Sequence, residues 1–201
     1  MRMSRGWTRT AAVWVVAGTG AACATTVEPE PDPVLIRQVV NRIAATETLR
    51  GNDYQANLGV LAYDLRSVSV PILLRSVRDD PSPRVRASCA LALGKAQDPR
   101  AVPVLAESLE EDENDGVRLT AAYNLCLFRD PRGIPALVAA LRHEEPFHRV
   151  DAAQRLHVLT GLDFGYQGVS EPAERESAVR RWEEWLEREG PERAAAAIQL
   201  R

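Results

Sequence analysis

Apolar and polar positions alternate along this chain with a helical period, and the alternation itself repeats. Val70-Pro71-Ile72-Leu73 returns as Val102-Pro103-Val104-Leu105 and again as Ile134-Pro135-Ala136-Leu137, at a spacing of 32. Asp98-Pro99-Arg100 and Asp130-Pro131-Arg132 recur at the same interval, as do Val85-Arg86 and Val117-Arg118. In the third unit the pair is His148-Arg149, one residue early, which predicts a shortened loop. Within a unit, Val102, Leu105 and Leu109 (or Ile134, Leu137 and Leu141) lie on one face of a first helix. A polar turn such as 79–83 follows. A second helix then carries Val85, Cys89 and Leu93, with alanines between. An Asp before Pro is expected to start the first helix, and Pro103 and Pro135 to bend or delay it. Each helix pair has one apolar face that it cannot bury alone, so the pairs must stack.

Three clear units span 67–166. A degenerate one precedes them, with a helix over 33–50 and a partner over 53–64. After Leu156 the texture changes. Leu159-Thr160-Gly161-Leu162-Asp163-Phe164-Gly165-Tyr166 leads into a helix with Val179, Trp182, Trp185 and Leu186, then a short Ala-rich helix over 191–201. Trp182 and Trp185 share a helical face. They are expected to cap the stack, with Phe164 and Tyr166 plugging its end.

The string DPRAVPVL…VRLTAAYNL resembles bacterial HEAT repeats of the type also named after phycobilisome lyases. The resemblance implies an all-α fold, a right-handed α-α superhelix over 34–166 closed by capping helices over 167–201. The LTG-x-DFGY segment resembles a closing element found after such repeats, with Gln167 where that element usually has Asp. In HEAT repeats the recurring arginine pairs with acidic loop residues of its own or the next unit. Here that implies a structural ladder of Arg86, Arg118 and Arg149 with Asp80, Asp112 and Glu144.

The N-terminus reads as an address. Arg2, Arg5 and Arg9 precede a short apolar run over 11–17 and then small residues, the layout of a signal peptide over 1–22. Gly20-Ala21-Ala22-Cys23 resembles a bacterial lipobox, which implies lipid attachment at Cys23 and anchoring outside the cytoplasm, with the outer membrane favoured. Cleavage after Ala24, giving a soluble periplasmic or secreted protein, is the alternative. Residues 23–33 would form a Pro- and acid-rich tether.

Composition narrows the function. The chain has 201 residues, 45% hydrophobic and only 5% aromatic, with a net charge of −3. Without the leader arginines it is more acidic still, which opposes a nucleic-acid partner. Asp163-Phe164-Gly165 and His148-Arg149-Val150-Asp151 lack the Gly-rich loop and strand lysine that a kinase needs. His148 and His157 lie on opposite sides of one helix and His143 in a turn, so no metal ligand is assigned, nor any catalytic residue or cofactor. Cys89 and Cys126 are expected as free, buried thiols. The expected function is a non-catalytic scaffold of the cell envelope that binds another protein through its concave second-helix face, with Arg84, Ser88, Asn124 and Gln154 exposed there. The alternatives are a tetrapyrrole-binding enzyme like the phycobilin lyases and a DNA-binding repeat protein.

Overall fold

The computed structural model describes residues 32–168 and 170–198, the side chain of Arg66 excepted. The signal peptide, Cys23 and nearly all of the tether lie outside the described residues. The helices are α1 (Pro33–Ala45), α2 (Gly51–Gly59), α3 (Arg66–Asp79), α4 (Pro83–Ala96), α5 (Ala101–Glu111), α6 (Asp115–Leu127), α7 (Gly133–Ala140), α8 (Pro146–Thr160), α9 (Pro172–Glu189) and α10 (Pro191–Ala196). No strand occurs among the described residues. The fold is an all-α stack of helix pairs. First helices α1, α3 and α5 lie side by side, and second helices α2, α4, α6 and α8 form the adjoining row.

Local chemistry explains where the second helices begin. Ser82 accepts a hydrogen bond from the Val85 N–H, and Pro83 occupies the first turn of α4, where no donor is needed. Asn114 accepts from the N–H groups of Gly116 and Val117 to start α6. The first helices start differently from the expectation. Asp98 and Asp130 do not cap them. Each carboxylate accepts the backbone N–H two residues on and pairs with the same residue's guanidinium, in Arg100 and Arg132. This closes a tight turn, and α5 and α7 begin only after it, at Ala101 and Gly133. Pro103 and Pro135 therefore fall in a first turn, where they cost no hydrogen bond. Pro71 is different. The first clear unit has no Asp-Pro-Arg turn, α3 begins a full turn earlier, and Pro71 sits inside the helix.

The degenerate unit also departs from its expected bounds. α1 ends at Ala45 and not at Arg50, and α2 begins at Gly51. Its last turn widens into a π-helical turn over Val60–Asp64, closed by the Leu65 N–H donating to the Val60 carbonyl. Only Leu65 separates this turn from α3, so the wide turn does the work of a loop.

The fully buried leucines fall in two adjoining clusters, Leu58, Leu73, Leu93, Leu105 and Leu125 in one and Leu137 and Leu156 in the other. Glycine sets the spacing at one junction. A Cβ built on Gly133 would lie 2.4 Å from Cys126 Sγ, 2.7 Å from the Ala122 oxygen and 2.8 Å from the Cys126 nitrogen. Two of these are backbone atoms of α6, which cannot rotate away. Gly133→Ala should therefore cost about 3 kcal/mol, the upper end for overpacking, as a lowered urea midpoint with an unchanged slope. An unaltered midpoint would mean that α6 and α7 separate freely.

The closing segment packs as expected of a cap, on the α7 side. Trp182 is buried and meets Phe164 and Trp185 edge-to-face, at 4.7 and 5.6 Å between ring centroids. The Tyr166 hydroxyl donates to the Leu141 carbonyl at the end of α7. Phe164 and Gly165 both have positive φ, 48° and 71°, and the Gly165 N–H donates to the Asp163 carboxylate. Helices α9 and α10 then lie against α7.

Candidate functional site

The row of second helices is a surface that the repeat makes regular, with one arginine per helix pair. Arg86, Arg118 and Arg149 stand in one column, and all three reach back with Nη1 to a loop carbonyl of their own unit. Arg86 donates to the Asp80 oxygen at 3.0 Å, Arg118 to the Asp112 oxygen at 2.7 Å and Arg149 to the His143 oxygen at 2.9 Å. Their other donors reach different partners. Arg86 grips the Asp112 carboxylate of the next unit with two bonds of 2.8 and 2.9 Å. Both side chains are only 7% exposed, and the paired carboxylate raises the arginine's pKa further. Arg118 pairs with Asp115 of its own helix. Arg149, at the end of the column, donates to the Gly168 carbonyl at 3.2 and 3.1 Å and so ties the closing segment to α8. The ladder thus differs from a column of carboxylates. Asp80 and Glu144 contribute main-chain oxygens, and the Asp80 carboxylate accepts the Ser82 N–H instead.

Two of the four residues expected to be exposed are not. Ser88 and Asn124 are each 1% exposed. The Ser88 hydroxyl bonds the Arg84 carbonyl and the Tyr54 hydroxyl. The Asn124 amide donates to the Thr120 carbonyl, and its Oδ1 fills the space that a side chain at position 94 would occupy, so Gly94 is required there. Both point between helices. Arg84 is half-buried, with its guanidinium donating to the carbonyls of Thr46 and Leu49 and lying over the Tyr54 ring. Gln154 is exposed.

The open face is one residue round from the two misplaced positions. Following the same spacing from Arg84 and Gln154, it comprises Arg84, Ala87, Leu91 and Lys95 on α4. It continues with Tyr123 and Leu127 on α6, and Phe147, Val150, Gln154 and Val158 on α8. Exposure increases toward α8, where Phe147 is 74%, Val158 57% and Val150 44% exposed. On α6, the Arg155 guanidinium covers the Tyr123 ring at 5.1 Å. The face is apolar with cationic edges at Arg84 and Lys95.

Residues 39–126 match the sequence profile of HEAT repeats, covering α1 to α6. The chain carries a HEAT-repeat domain. A second match, to the phycobilisome (PBS) lyase HEAT-like repeat, covers residues 117–143 and extends the HEAT repeats through α7 to the turn before α8. No curated protein matches the chain as a relative. The stacked HEAT pairs make this a scaffold of the repeat type, in which each unit contacts its neighbours and the surface is shared among them.

The cysteines and histidines remain to be placed. Cys89 and Cys126 are free and buried, and burial pushes both thiols up to about 12, so they stay protonated and unreactive at neutral pH. His157 is exposed. His143 and His148 instead meet at the turn between α7 and α8, beside Asp115 at the start of α6. Asp115 lies in another unit, and the spacing of the histidines along the chain gave no sign of it.

Proposed function

We propose that this protein is a non-catalytic adaptor of the bacterial cell envelope. It is exported, held at the membrane through Cys23, and binds another protein on the second-helix face of its HEAT domain. The observation that carries this reading is the apolar strip on which Phe147, Val150 and Val158 are exposed, bordered by the half-buried Leu91, Tyr123 and Leu127. Large apolar side chains left in water on one continuous surface mark contact sites, and aromatic ones supply much of the binding energy when covered. No described helix is long and apolar enough to cross a membrane.

Cross-linking in intact cells followed by affinity capture tests the reading. Phe147→Glu with Val158→Glu should reduce capture of an envelope protein by roughly tenfold or more, the scale of a contact hot spot. Val40→Glu, at an exposed position on first helix α1, should leave it unchanged. If the double variant captures the same protein in the same amount, the second-helix face is not the contact surface. The match of residues 117–143 to a lyase-named repeat favours one second reading, a tetrapyrrole-binding protein. Visible absorbance retained on the purified chain after incubation with a bilin would support it over the adaptor.

A further inference from the structure

Asp115, His143 and His148 come from two helix pairs and converge. Asp115 is the first residue of α6, His143 sits in the turn after α7, and His148 is in the first turn of α8. One ligating atom of each lies within 4.8 Å of the others. His143 Nε2 is 3.0 Å from Asp115 Oδ2, and the two imidazoles meet edge-to-face at 4.6 Å between centroids. Two histidines and one carboxylate are the donors that zinc and its neighbours in the periodic row prefer.

Two features separate this cluster from a chance meeting of surface side chains. First, His148 Nδ1 is wholly buried and meets no hydrogen-bonding group among the described residues. An imidazole nitrogen so placed costs free energy unless something coordinates it. Second, the carboxylate is oriented from behind: Arg118 pairs with Asp115 Oδ1, leaving Oδ2 toward His143.

We propose that Asp115, His143 and His148 bind one divalent transition-metal ion of zinc's type and clip the α5/α6 pair to the α7/α8 pair. In a tetrahedral site, with bonds near 2.1 Å, ligand atoms stand about 3.4 Å apart. The aspartate and His143 already meet that limit, so a shift by His148 of at most about 1.4 Å, from 4.8 to 3.4 Å, closes the site. The proton balance is definite. His143 Nδ1 accepts the Glu145 N–H, so Nε2 carries the ring proton that faces Asp115. Coordination through Nε2 moves that proton to Nδ1. The Glu145 N–H then turns to water, which the exposed position of Glu145 permits. The fourth ligand is water, beside a groove of about 190 Å³ lined by Leu109, Leu119, Ala122 and Ala136.

The test is titration of the chelator-stripped full chain with Co²⁺, read by its visible absorption, followed by displacement with Zn²⁺. One Co²⁺ per chain should bind with a tetrahedral spectrum, and one Zn²⁺ should displace it and raise Tm. Asp115→Asn, His143→Gln and His148→Gln should each weaken binding about a hundredfold or more, with helical circular dichroism retained. His157→Gln, on the exposed side of α8, should bind like the parent. Should one histidine variant fail to fold, Asp115→Asn at the half-exposed start of α6 decides alone. No uptake, or uptake of equal strength in the parent and Asp115→Asn as from a site at Cys23, overturns the proposal.

Discussion

Trp182→Ala should remove roughly 3–5 kcal/mol of stability, the range for deleting a buried tryptophan. The side chain is 1% exposed and stands where α9 closes the stack over α7. Its loss leaves a cavity bounded by Phe164 and Trp185, whose contacts with it are edge-to-face and not reproducible by alanine. In a repeat array the damage stays local at first, because each unit senses only its neighbours. Hydrogen exchange should therefore accelerate in α7, α9 and α10 before it does in α3 and α4. Trp182→Phe separates volume from polarity. The Trp182 Nε1–H is buried with no acceptor among the described residues, so phenylalanine loses packing but also removes an unpaired donor. Its cost should fall below about 1.5 kcal/mol. A loss as large in Trp182→Phe as in Trp182→Ala would show that the shape of the indole, and not the apolar volume it fills, governs the cap.

Asp112→Ala should be about as damaging, roughly 3–5 kcal/mol, because it strands the Arg86 charge between two helix pairs. The two bonds to Arg86 are short and parallel, and water reaches neither side chain freely. The partner change matters to the interpretation. Arg86→Met with Asp112→Leu replaces the pair by apolar groups of similar size, and it should restore at least half of the loss. A urea-denaturation cycle over the parent, Arg86→Met, Asp112→Leu and the double variant gives the coupling directly. A coupling near zero would mean that Glu113, 3.5 Å from Arg86 Nη2, takes over the charge when Asp112 is gone.

How far the sequence foretold these features depended on what each residue's chemistry reveals alone. The spacing of 32 located the pairs, the arginine column and the buried leucines, because core positions must be apolar in every unit. The exposed face was harder. Ser88 and Asn124 are polar, and polarity was read as exposure. Both satisfy themselves by bonding a carbonyl one turn back, at Arg84 and Thr120, so they can face inward. The half-open side holds Leu91, Tyr123 and Leu127 instead, which pack partly on the core, so an apolar residue there looks like core. A rotation of one residue, about 100° on a helix, separates the two assignments. The Asp98 and Asp130 turns were misread for a related reason: the same Asp-Pro pair can cap a helix or close a tight turn, and the following arginine decides which. The meeting of Asp115 with His143 was illegible, since the two occupy different columns of the repeat and only the stacking brings them together.

The ladder's use of main-chain oxygens has an evolutionary consequence. A carbonyl is supplied by any amino acid, so the loop positions 80 and 144 hold their arginines whatever side chain they carry. Drift at these turns leaves each arginine seated in its own unit, while the contact of Arg86 with the next unit rests on the Asp112 carboxylate. The stack can thus vary its rim residue by residue, and acquire or lose binding partners there, without re-solving the problem of how one unit sits on the next.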